Sequence, residues 1–163
     1  MSDTKHTRDR APLMGLLDAA TEAYLEQFRR ELEASGYADL RPTHGCVFRF
    51  VREDGMRLTE IAAHAGMTKQ SVGELVDDLV DLRYVQRVPD PEDRRAKLIC
   101  LTDRGIQAQR LGFGLIDEIE DRWADRFGSE RIGELREILE QIVGDLAPQA
   151  APELARREPA AVG

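Results

Sequence analysis

The sequence predicts a mainly α-helical fold carrying one small β-hairpin, an α+β arrangement with long helices on either side of a compact middle. Three observations carry that reading. Apolar residues recur at steps of three and four near both ends of the chain. Two short helical segments lie three or four residues apart around Gly66 and Thr68. Two runs of β-formers follow, 84-YVQRV-88 and 96-AKLICL-101, separated by the proline- and charge-rich 89-PDPEDRR-95.

Taken in order, residues 1–11 read as a flexible polar arm. From Pro12 to about Ser35, Leu13, Leu17, Ala20, Tyr24, Phe28 and Leu32 form the stripe of a first helix; Pro12 suits its first turn and Gly36 its end. Pro42, followed by Val47, Phe48, Phe50 and Val51, opens a second helix that ends before Gly55. In 58-LTEIAAHAGMTKQSVGELVDDLVDL-82, Thr59 can cap a short helix that Gly66 ends, and Thr68 can cap another that buries Val72, Leu75, Val76 and Leu79. After the two strands, Thr102 can cap a long helix with Ile106, Phe113, Ile116, Ile119, Trp123 and Phe127 on its apolar positions. A last helix over about Ser129 to Val143 turns Ile132, Leu135, Ile138, Leu139 and Ile142 inward. The Ala/Pro-rich 147–163 reads as a disordered tail.

Bulk properties narrow the function. No apolar run approaches the ~18–20 residues of a membrane span, and MSDTKHTRDRAP lacks the apolar core of a secretory signal. Cys46 and Cys100 have no spacing that suits a disulfide framework or a zinc site. A reducing cytoplasm is the expected location. No catalytic Ser/His/Asp set, phosphate loop or metal cluster is legible, so neither an enzyme, a metal nor a cofactor is expected. The net charge of −8 argues by itself against nucleic acid, yet residues 82–104 hold six basic side chains against four acidic ones.

The spacing of Ala62, Gly66, Val72 and Leu75 answers the needs of a helix-turn-helix. These are a small residue at the crossing, a residue tolerating positive φ in the turn, and apolar residues where the second helix packs on the first. Two ordinary helices of an α-hairpin would satisfy the same pattern. What points to DNA is the outward first turn of the second helix: Lys69, Gln70, Ser71 and Gly73, with Thr68 as cap and phosphate contact. Gly73 is costly inside a helix, by about 1 kcal/mol, which suggests a close approach to DNA or to a neighbouring helix. Glu74, Asp77, Asp78 and Asp81 would be repelled by phosphate, and most of them are expected to face away from it.

A helix-turn-helix followed by a hairpin is a winged helix-turn-helix. Arg95 at the hairpin tip is the first choice for the minor groove, with Arg94 beside it or on phosphate. Asp90 and Asp93 are expected to orient these guanidiniums, Pro89 and Pro91 to stiffen the loop, and Arg87 and Lys97 to contact flanking phosphates.

From LTEIAAHAGMTKQSVGELVDDLVDL through YVQRV to PDPEDRRAKLICLTDRG, the sequence closely resembles the MarR family of winged-helix transcriptional regulators. The D-x-x-D-R-R wing, a strand and then L-T-x-x-G are its most specific part, and the flanking helices extend the resemblance over about residues 12–145. Arg83 departs from the pattern, where the family usually has Gly; a left-handed backbone there would be strained by ~1 kcal/mol.

The resemblance implies a homodimer. An N-terminal dimerisation helix (12–40) and C-terminal dimerisation helices (105–146) would flank a DNA-binding unit (41–104). A pseudo-palindrome in double-stranded DNA would be read by recognition helices ~34 Å apart. The apolar stripes agree, exceeding what one small winged helix can cover. The resemblance further implies a repressor released by a small aromatic effector held between the dimerisation helices and the DNA-binding lobe. Candidate contacts are Tyr24, Phe28, His44, Phe48 and Phe113, each of which ordinary core packing would also explain. Some relatives sense peroxide through cysteine, but Cys46 and Cys100 read as small buried hydrophobes. Two alternatives stay open: a DNA-binding protein of this fold without an effector, and a protein-interaction adaptor suggested by the net acidity.

Overall fold

The computed structural model describes residues 10–52, 54–93 and 95–146. The arm expected over 1–11 lies outside them except for its last two residues, and the tail 147–163 lies wholly outside. The elements are α1 (Leu13–Ala34), a 3₁₀ turn (Pro42–His44) leading into α2 (Gly45–Phe50), β1 (Met56–Arg57), α3 (Leu58–Ala65), α4 (Lys69–Asp81), β2 (Val85–Pro89), β3 (Lys97–Leu101), α5 (Asp103–Phe127) and α6 (Ser129–Leu146). The mainly α fold with a small β-wing is as the sequence predicts.

The strands form an antiparallel sheet in the order β1-β3-β2. Val85 stands opposite Leu101 and Pro89 opposite Lys97, while Met56 and Arg57 pair with Ile99 and Leu98. The two-residue β1 is too short to leave a periodic signal in the sequence. Gly55 feeds the chain into it at φ +86°, where any Cβ would press on Cys100 and Leu98.

The core lies where α3, α4 and the sheet meet α2 and α5. Val47, Ile61, Val72, Val76, Leu79 and Tyr84 are fully enclosed, each aliphatic side chain stabilising by about 1.5–3 kcal/mol. Phe48 packs edge-on against Tyr84 at 5.8 Å between ring centroids. Gln109 of α5 donates to the carbonyls of Phe48 (2.6 Å) and Val51 (3.0 Å) and so satisfies the end of α2.

Two local expectations are corrected. Thr59 does not cap α3: the helix begins one residue earlier, and the backbone N–H of its cap Arg57 donates to Glu60 at 2.9 Å. The glutamate carboxylate outcompetes a threonine hydroxyl that already lies inside the first turn. On α6, Leu135, Ile138 and Ile142 are exposed rather than inward, and Ile132 and Leu139 only partly covered. The same holds for the first half of α1, where Leu13 is 65% and Met14 75% exposed. Tyr24, Phe28 and Leu32, in its second half, do pack on the body. These apolar faces find no partner within the described chain.

Candidate nucleic-acid interface

Gly66 ends α3 with φ +61°, the left-handed conformation that the turn requires. Thr68 then caps α4: its Oγ1 accepts from the Ser71 N–H at 3.1 Å and shares a 2.8 Å hydrogen bond with the Ser71 hydroxyl. Both hydroxyls are therefore engaged in shaping the first turn. Lys69 and Gln70 are exposed beside them. Gln70 Nε2 stands 3.4 Å from Glu74, so Glu74 shares the face of Gln70 rather than pointing away. Around Gly73 the chain is open: an added methyl would stand 3.9 Å from Leu58. No close packing among the described residues explains that glycine.

Two of the other α4 carboxylates are neutralised. Asp77 pairs with Arg87 of β2 at 2.6 Å, and Asp78 with Arg41 in the segment before α2. Arg87, expected on phosphate, is thus tied to α4, because its strand runs beside the middle of that helix.

The wing is anchored at its root. Asp90 is buried and accepts from Arg57 Nε (2.7 Å) and from the Glu92 N–H (2.8 Å); Arg57 Nη2 lies 2.6 Å from the same carboxylate. The Glu92 N–H first, and then the Arg57 guanidinium, hold the Asp90 carboxyl below the usual range. Among the described residues Asp90 therefore orients Arg57 rather than Arg95, since its side chain turns inward toward β1. Asp93 accepts from the Arg95 backbone N–H at 3.0 Å, a side-chain-closed turn that sets the tip. The exposed Arg95 guanidinium, like the Lys69 and Lys97 ammonium groups, pairs with no carboxylate among the described residues. Arg94 lies outside them.

Arg83 takes φ +64°, the strained conformation its departure from glycine foreshadows. Thr102 Oγ1 donates to its carbonyl at 2.7 Å, and Arg104 Nη1 to the Leu82 carbonyl at 2.9 Å. Arg104 also reaches Asp39 and the Tyr84 hydroxyl, both at 2.8 Å. Gly105 packs directly on the Tyr84 carbonyl, which accounts for the glycine of L-T-x-x-G.

Behind this surface a cleft of about 650 Å³ opens between α1, α2 and α5, and Tyr24, Phe28, Phe48 and Phe113 line it. His44 does not. It is enclosed beneath Arg41, whose backbone N–H donates to Nδ1 at 3.2 Å and whose Nη2 stands 3.2 Å from Nε2, itself 3.6 Å from Asp78. Burial first, and Arg41 second, hold its pKa below the usual histidine range. Burial likewise pushes the Cys46 and Cys100 thiols up, away from the reactive thiolate. No group of three or more metal-ligating side chains occurs among the described residues, and no described helix is long and apolar enough to cross a membrane.

A sequence model of the MarR family matches residues 38–96, from the approach to α2 through the wing. Over those residues the chain is similar to the MarR family, and its structure is a winged helix. Solved MarR-family folds extend the likeness to the flanking helices. The S. aureus MepR–DNA complex is 21% identical with a TM-score of 0.71, covering 84% of this chain and all of that one. The transcriptional repressor CouR bound to a 23-mer DNA duplex is 24% identical with a TM-score of 0.71, covering 87% and 99%. CouR from Rhodococcus jostii RHA1 bound to p-coumaroyl-CoA is 26% identical with a TM-score of 0.63, covering 80% and 91%. No curated protein sequence matches the chain.

Within the winged helix, α4 is the second helix of the helix-turn-helix and β2–β3 the wing. The contacts that sequence reading missed, Arg57–Asp90 and Arg41–Asp78, join residues 33 and 37 positions apart, and nothing local announces them.

Proposed function

We propose that the chain is a transcriptional regulator, a repressor, that binds a pseudo-palindromic operator as a homodimer and leaves it when a small aromatic effector enters the cleft. The observation that carries DNA binding is the contrast among the cations of the winged helix. Arg41, Arg57, Arg87 and Arg104 are held by carboxylates. Lys69 on the first turn of α4, Arg95 at the wing tip and Lys97 beside it are exposed and uncommitted among the described residues. Those are the positions a recognition helix and a wing present to major groove and minor groove.

The dimer reading rests on the uncovered apolar faces of α1 and α6, including Leu13, Leu16, Leu17, Leu135, Ile138 and Leu146. Faces of this kind mark association surfaces. Effector control is supported by the aromatic-lined cleft and by the p-coumaroyl-CoA bound to CouR.

Sedimentation and a DNA mobility shift test the proposal together. Expected are a dimer at micromolar concentration and a shift whose affinity falls steeply with salt. A monomer, or a dimer that shifts no DNA even at low salt, would favour the protein-interaction adaptor.

A further inference from the structure

The cleft and the recognition helix share one side chain. Arg41 lines the cleft, and its guanidinium donates to the Asp78 carboxylate on α4 while the same Nη2 stands 3.2 Å from His44 Nε2. We propose that these two roles compete: an aromatic anion seated in the cleft draws Arg41 off Asp78, and loss of that tether loosens the C-terminal turn of the recognition helix. The inference rests on the cleft being the effector site. It adds the charge the effector must carry and the route by which its presence reaches α4.

Four observations support it. The Arg41 side chain is 59% exposed and belongs to the connection between α1 and α2, outside any α-helix, so it can swing without unpacking the core. The cleft favours an anion: Arg41 and Arg49 line it, and its one acidic lining residue, Glu120, is bonded to Arg136 at 2.6 Å. Asp78 needs a cation, because it sits near the C-terminal end of α4, where the helix dipole disfavours negative charge and the last turn carries no basic residue. No equal substitute stands nearby, since His44 is buried, held toward the neutral form and 3.6 Å from the carboxylate. A neutral aromatic molecule could fill the same cleft, but it would not compete for Arg41. With no difference in affinity between the tethered and released states it would shift nothing.

The test uses 2-naphthoate and its uncharged amide, 2-naphthamide, on the full chain. Calorimetry measures binding, and hydrogen exchange follows the amides of Leu82 and Arg83, which close the end of α4 on Asp78 and Val80. Competition requires that Asp78→Asn bind naphthoate about tenfold more tightly than the parent and that Arg41→Gln bind it about tenfold more weakly, by the reciprocity of coupled equilibria. Naphthoate, but not naphthamide, should speed exchange at the end of α4 in the parent and leave it unchanged in Arg41→Gln. A purely structural Asp78 would alter exchange without altering the affinity for naphthoate. Unchanged naphthoate affinity in Asp78→Asn, or unchanged exchange in the naphthoate-saturated parent, overturns the relay while leaving the cleft a binding site. Failure of both probes to bind overturns the effector reading itself, and the relay with it.

Discussion

Arg57 and Asp90 tie the root of the wing to the start of the helix-turn-helix: Arg57 Nε and Nη2 stand 2.7 Å and 2.6 Å from one oxygen of the buried Asp90. Arg57 is at once the cap residue of α3 and the anchor of the hairpin. The same carboxylate accepts the Glu92 N–H, so it fixes where the hairpin leaves the sheet. Asp90→Asn should leave the helical content intact yet weaken DNA binding on the order of tenfold, because the wing tip is no longer held to the recognition helix's frame. Circular dichroism with fluorescence anisotropy on one duplex checks this; parental affinity in the variant would show that the wing finds its place without the anchor.

Two arginines of the hairpin should behave differently. Arg95 is uncommitted among the described residues, whereas Arg87 is bound to Asp77 at 2.6 Å. Arg95→Ala should lower the slope of log affinity against log salt by about 1 and leave the oligomeric state alone. Arg87→Ala should leave that slope nearly unchanged, since its charge is already balanced. Equal loss of slope in both variants would place Arg87 on phosphate after all.

At the exit from α4, two backbone positions predict opposite effects. Gly105→Ala forces a Cβ onto the Tyr84 carbonyl oxygen and should cost about 2–4 kcal/mol in urea unfolding. Arg83→Gly relieves a φ of +64° and should stabilise by about 0.5–1 kcal/mol. A destabilised Arg83→Gly would mean that the arginine side chain outweighs the strain of its backbone.

His44 gives a pH signature. Burial holds its folded-state pKa below the usual value, so the unfolded chain takes up the proton more readily. The contribution of the neutral ring is complete above about pH 6.5 and is lost as pH falls below it. Between about pH 7.5 and pH 5, the melting temperature of the parent should therefore fall more steeply than that of His44→Gln. Parallel curves would show that the ring titrates alike in both states.

What the sequence revealed was local. Gly66 in the turn, Thr68 at the cap and the run of β-formers in 96-AKLICL-101 each act over a few residues, and each foretells its element. The two-residue β1 has no period to detect, and Thr59 was misread because Glu60 captures the cap N–H from inside the helix. Of the cleft residues, Tyr24, Phe28, Phe48 and Phe113 are the aromatic side chains that the family resemblance, not any local pattern, offers as candidate contacts. His44 could not be placed, because its burial follows from Arg41 folding over it toward α4. The inward face expected on α6 is instead exposed, because the described chain supplies no surface to cover its apolar stripe.

The most direct test of the central claim is selection of genomic DNA fragments by the purified protein, read by sequencing, at about 150 mM salt and again at low salt. The account predicts one enriched pseudo-palindrome whose half-sites lie about one helical turn apart. Recovery of fragments with no common sequence at either salt would contradict it.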